Sequence, residues 1–252
     1  MSRTLSTNAR NRTLAALAAA ALAITGCSQT ETTKPSPDAS ATTSQEATTA
    51  TPAPTESATT SAAPTQGSPD AAKALADLTY RGEPLTALPP VQVDAYVESI
   101  RSALRTEGAT FEPEVCGKLN TELNEKLIAH TSDLSLAAGE VDGAQVVAQV
   151  SPGGADGIDF GNVTDVITKC PQFTVSAHGQ SITSAVSLIP TSIAADSSLG
   201  QHVTQELPNG TVHVYTMLAK VGSTLVTTVL TTTEDTDIAD LEELTSTIAT
   251  RL

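Results

Sequence analysis

Residues 28–67 contain no Leu, Ile, Val, Phe, Tyr or Trp, and Thr, Ser, Ala, Pro, Gln and Glu make up almost all of the stretch. A segment of that composition cannot bury enough apolar surface to offset the entropy of ordering it. Any hydrophobic core must therefore be built from residues 68–252. Residues 27–67 are expected to form a disordered tether, spanning roughly 35 Å end to end as a flexible coil and more where proline stiffens it. The composition is also that of glycosylated stalks. Residues 68–252 have the length of one domain.

The segment before the tether carries its own signal. Arg3, Arg10 and Arg12 give a positive start, residues 14–24 are an apolar run of alanine and leucine, and Ile24-Thr25-Gly26-Cys27 closes it. Residues 1–26 thus have the layout of a bacterial export signal. The closing tetrapeptide resembles the lipobox of bacterial lipoproteins, in which the cysteine receives a diacylglycerol and the signal is cut just before it. A buried helical thiol and a retained membrane helix are the competing readings of Cys27. The apolar run is too short for the second, since a span needs roughly 20 residues. Arg10 and Arg12 are separated by Asn11, so no twin arginine is present and general secretion is expected. The resemblance implies lipidation at Cys27 and a location on the outer face of the cell membrane, with the membrane as partner through the lipid alone.

The domain has 9 Lys and Arg against 24 Asp and Glu. That balance excludes nucleic acid as a partner, because displacing phosphate counterions takes clustered basic side chains. It also disfavours docking of the domain surface on anionic lipid. With Cys27 assigned to the anchor, Cys116 and Cys170 remain, outside the cytoplasm and without C-x-x-C spacing. They are expected to form one disulfide.

The domain reads as helices first and strands later. Ser68-Pro69-Asp70 opens a short helix running through Leu75 and Leu78. Pro89-Pro90 precedes a second, with Val93, Val97, Ile100 and Leu104 on one face, ended by Gly108. A third runs from near Pro113 to about Ala129, with Cys116, Leu119, Leu123 and Leu127 in one stripe. A strand is expected over 145–150, a glycine-rich loop over 153–161, and a short helix carrying Val163, Val166, Ile167 and Cys170 up to Pro171. Strands are then predicted over 173–177, 181–189, 202–207, 211–220 and 223–232, with Asn209-Gly210 as a hairpin turn and Val221-Gly222 as a poorer one. A last helix starts near Asp237, with Ile238, Leu241, Thr245, Ile248 and Leu252 along it. The expectation is an α+β fold, a mainly antiparallel sheet of about five or six strands packed on one face by helices, with the disulfide tying the helical half to the strand-rich half.

Catalytic and metal motifs are missing. No G-x-S-x-G, H-E-x-x-H or phosphate-binding glycine loop occurs. Asp156, Asp159 and Asp165 fail the calcium-loop spacing, since Ile158 and Phe160 fall where oxygen ligands are needed. His202 and His213 lie on the two arms of the Asn209-Gly210 hairpin, where a two-residue loop would set Glu206 opposite His213. A base with its orienting carboxylate is one reading, and an exposed cross-strand pair is the other. No cofactor, metal site or catalytic residue is assigned.

Several residues carry a wider likeness: Cys116, the junction Lys169-Cys170-Pro171-Gln172-Phe173-Thr174-Val175, the strand around Tyr215 with the Gly222 turn, and the helix over 237–252. Over a little more than half of the chain they resemble the extracytoplasmic domains of actinobacterial cell-envelope lipoproteins and, more distantly, the PknH-type extracellular sensor domain of mycobacterial Ser/Thr kinases. The resemblance implies an antiparallel α+β domain and a cleft for an envelope ligand. It implies two disulfides where this chain can form one, and no kinase domain or spanning helix accompanies it here. The expected function is a non-catalytic, lipid-anchored binding or sensing module of the cell envelope. A scaffolding lipoprotein that contacts an envelope protein and a hydrolase with an unrecognised site are the alternatives.

Overall fold

A computed structural model describes residues 68–104, 108–129, 133–177, 179–208 and 210–252, so Cys27 and the segments expected to be a signal and a tether lie outside the described residues. In chain order the elements are α1 (Pro69–Ala74), β1 (Thr79–Tyr80), β2 (Glu83–Pro84), β3 (Thr86–Ala87), α2 (Pro90–Leu104), β4 (Thr110–Glu112), α3 (Glu114–Ala129), β5 (Ser135–Val141), β6 (Ala144–Ser151), α4 (Phe160–Lys169), β7 (Gln172–Ala177), β8 (Gln180–Ile189), β9 (Ser197–Leu207), β10 (Gly210–Val221), β11 (Thr224–Thr232) and α5 (Ala239–Thr250). The fold class is α+β. Its main sheet has nine strands in the order β3-β5-β6-β11-β10-β9-β8-β7-β4, all paired antiparallel, and β1 pairs with β2 apart from it.

The sheet is larger than the five or six strands the sequence suggests. β3 and β4 are two and three residues long, too short for any alternation to show. β5 is centred on Leu136-Ala137-Ala138-Gly139, which has no β-branched residue, and its strand character comes from pairing with β6. The turn between them is of a common kind. Val141 pairs with Ala144 across Asp142 and Gly143, whose φ angles of 51° and 79° are those of a type I′ hairpin.

Helices cover both faces of the sheet, not one, and strand alternation shows why. On β10, Tyr215, Met217 and Ala219 point into a core with Leu241, Leu244 and Ile248 of α5 and Ala71, Ala74 and Leu75 at α1. Val214 and Leu218 point the other way, into a core with Cys116 and Leu123 of α3 and Val163, Val166 and Ile167 of α4. Tyr96 of α2 packs on that second face against Leu136, Val147 and Val229. Central strands apolar on both sides need cover on both sides, as Val226 and Val229 of β11 illustrate.

Two arginines hold the start of the domain to its end. Arg251, just past α5, donates to the carbonyls of Ala74 at 3.2 Å and Ala76 at 2.6 Å, at the end of α1. Arg81 donates from Nε to Asp240 at 2.7 Å and from Nη2 to the Asp237 carbonyl at 3.1 Å. On the other face Cys116 of α3 and Cys170 at the end of α4 are bonded, with Cα atoms 5.7 Å apart. The second helix is less buried than its periodicity suggests: Val93, Val97 and Ile100 are half-buried, and among the described side chains of α2 Tyr96 is the buried one.

Candidate functional site

The face under α2, α3 and α4 holds polar side chains buried among apolar ones. On β9 and β10 three rungs succeed one another on this face: Leu199 opposite Leu218, Gln201 opposite Thr216, and Val203 opposite Val214. Gln201 and Thr216 are fully buried, and neither the Gln201 amide nor the Thr216 hydroxyl makes a hydrogen bond to protein. Thr227 of β11 and Ser184 of β8 are buried on the same face with hydroxyls likewise without a protein partner. From the helical side, Asn120 lies one turn beyond Cys116 on α3, 2% exposed, with both ends of its amide unmatched. Each such group costs about 1 to 3 kcal/mol if nothing satisfies it. No charged side chain is among them.

Sequence reasoning does not find this set. A glutamine or threonine within a strand reads as a solvent-facing residue, and Gln201 stands ahead of the expected start of its strand at His202. The signal that could have found it is the Val and Leu neighbours at i ± 2, which place Gln201 on the buried side once β9 is extended to Ser197.

A groove of about 160 Å³ lies between α3 and α4, with Leu123, Ile158 and Val166 buried along it and Glu122, Lys126 and Lys169 exposed beside it. It is smaller than the usual range for small-molecule sites, roughly 300 to 1,000 Å³. Asp159, one of its lining residues, caps α4 by accepting the Gly161 N–H at 2.8 Å. That accounts for an acid in the glycine-rich loop. No group of three or more His, Cys, Asp or Glu able to hold a metal occurs among the described residues.

His202 and His213 meet on the opposite face, but not with the partner the sequence suggests. Gly210 pairs with Leu207, so the β9–β10 register sets Thr204, not Glu206, opposite His213, and Glu206 faces Thr211 and is exposed. His202 is opposite Tyr215, its ring stacked on the phenol at 4.2 Å between centroids and 9° between planes. His202 Nε2 lies 3.0 Å from His213 Nδ1, and the Thr204 hydroxyl is 3.4 Å from the same Nε2. The Tyr215 hydroxyl donates to Asp235 and accepts the Thr236 N–H at 3.3 Å. Burial holds the His202 pKa below that of a free imidazole, with His213 adding to the shift and Asp235 opposing it. The hydrogen bond from Tyr215 is the main cause lowering the Asp235 pKa. Tyr215 is raised by burial first and by that hydrogen bond second. The carboxylate thus engages a phenol, not an imidazole, and does not orient either histidine as a base.

No protein-family model matches the chain, and no curated protein sequence matches it. Among solved structures, an uncharacterized protein from Mycobacterium smegmatis (Rv0999 ortholog) is similar at 17% identity and a TM-score of 0.38, covering 58% of this chain and 78% of its own. The extracellular domain of PknH from Mycobacterium tuberculosis is similar at 13% identity and a TM-score of 0.40, covering 57% of this chain and 76% of its own.

Proposed function

We propose that this chain is a lipid-anchored extracytoplasmic binding or sensing module, non-catalytic, whose ligand enters the layer between α2–α4 and the sheet. One observation carries this reading: Gln201, Thr216, Thr227, Ser184 and Asn120 present buried donors and acceptors that no protein group satisfies. Stability alone would favour apolar residues there, so retaining polar ones makes sense where a bound molecule satisfies them. A set of amides and hydroxyls with no charged member suits an uncharged ligand rich in carbonyl, amide or hydroxyl groups. An ionised ligand would find no counter-charge among these groups.

A thermal-shift screen of the chain with envelope lipids, glycans and peptidoglycan fragments tests the proposal. The expected result is a concentration-dependent rise in Tm with a neutral member of one class, lost in Gln201→Leu. A flat response across all classes, or a response unchanged in the variant, contradicts it.

A further inference from the structure

On the face opposite that layer, His202 and His213 are arranged for something the proposed ligand site does not use. Their ring planes differ by 18° and their centroids are 5.2 Å apart, which is the 3.0 Å nitrogen contact plus the two ring radii. The rings therefore meet edge to edge, with Nε2 of one pointing straight at Nδ1 of the other. That is the geometry of a single N–H···N hydrogen bond. A shared metal ion would need the two lone pairs to converge on a third point instead.

We propose that the His202–His213 pair is a proton-responsive site, which keeps its contact with one added proton, parts with a second, and thereby loosens the connection from β11 into α5. In the neutral pair one ring donates from its facing nitrogen and the other accepts there. A first proton from solvent goes to the outer nitrogen of the donor ring and leaves the contact intact. The second must take the facing lone pair that is already accepting. Two N–H groups then point at each other between two cations, and the rings must separate.

The consequence travels by direct contact. His202 stacks on Tyr215, whose hydroxyl holds Asp235 and the Thr236 amide. The Thr236 hydroxyl accepts from Arg81 at 3.3 Å, so the strand-to-helix connection and the β1–β2 arm share one set of contacts. Apart from Tyr215, the cross-strand residues directly opposite the two histidines are uncharged hydroxyl side chains. Ser187 of β8 is opposite His202, Thr232 of β11 and Thr204 of β9 are opposite His213, and exposed Glu206 stands one diagonal step from His213. Asp235 is the carboxylate on the cluster; kept anionic by the Tyr215 hydrogen bond, it favours charge on His202 and offsets part of the repulsion, but it does not lie between the two facing N–H groups as an acceptor.

The sign of the pH dependence comes from burial. With the folded-state pKa of His202 depressed, the unfolded chain takes up its proton first as pH falls through about 6.5, so this group removes stability on acidification and restores it above that pH.

Proton NMR of the two imidazoles in the folded protein, from pH 8 to pH 4.5, tests the site, together with amide exchange at Thr236. The expected result is a coupled titration in two separated steps, with Thr236 exchange, corrected for its intrinsic pH dependence, rising about tenfold across the second. In His213→Gln, which keeps a hydrogen-bonding group but cannot take the second proton, that rise disappears. Two independent titrations in the wild-type protein, or a Thr236 amide that does not respond, overturn the proposal. The wild-type spectra decide it even if the variant does not fold, and neither outcome depends on a ligand at the opposite face.

Discussion

Gly200 stands opposite Met217 and two residues before His202, where β9 passes the loop after β8. A Cβ there would fall 2.8 Å from Thr191 Cγ2 and 2.9 Å from the Ile189 carbonyl oxygen, and the second of these is backbone. Gly200→Ala is expected to destabilise the domain by about 1 to 3 kcal/mol, measured by chemical denaturation; an unchanged midpoint would show that the loop moves aside freely. Nearby, His202 and His213 stand out in the sequence, but with the wrong companion. Asn209-Gly210 suggests a turn on those two residues, whereas the pairing of Leu207 with Gly210 shifts each opposite partner by two positions. A shift of two keeps every side chain on its face, so the histidines still meet while Glu206 drops out and Thr204 and Tyr215 come in. Gln201 and Thr216 are hidden by their own polarity, and only the apolar neighbours at i ± 2 on each strand point to their burial.

Among the elements, the long helices and the strands from β7 to β11 are legible from periodicity, Pro and Gly. The short strands are not, since two or three residues carry no period and are placed by the neighbours they pair with. The periodicity of α3 and α4 also places both cysteines on inward faces, and each is nearly buried where the two helices approach, 3% and 2% exposed. The bond closes a separation of 54 residues. Replacing both cysteines with alanine is expected to cost about 4 kcal/mol in the chain-entropy account, read as a lower denaturation midpoint with α5 and its partners still the last to lose amide protection. A cost near zero would mean that packing of α3 on α4 suffices without the bond.

Across the domain, the excess of acidic groups and the two-sided cover of the sheet set the terms for function. Helices on both faces leave β10 and β11 with two different interiors. One, around α1 and α5, is largely apolar, with the buried Thr228 and Thr245 hydroxyls hydrogen-bonded to each other and the Tyr80 hydroxyl alone of its described groups without a protein partner. The other is interrupted by unmatched amides and hydroxyls under α2, α3 and α4. The adjoining rungs Gln201–Thr216 and His202–Tyr215 belong to the same two strands, so the proposed ligand layer and the proton-responsive pair lie back to back. The proposed anchor is tested separately: Cys27→Ser is expected to move the chain from the detergent phase to the aqueous phase on temperature-induced separation of a nonionic detergent extract. Equal partitioning of both forms would contradict lipidation at that residue.

If the buried polar groups on the helical face are kept for a ligand at the expense of stability, removing them should stabilise the free domain. Thermal unfolding of Gln201→Leu and of Thr216→Val, without added ligand, measures this. Both variants are predicted to melt higher than the wild-type protein, by roughly 2 to 6 °C for Gln201→Leu. A lower Tm in both would show that these groups are satisfied within the domain and hold it together, which contradicts a role in holding a ligand.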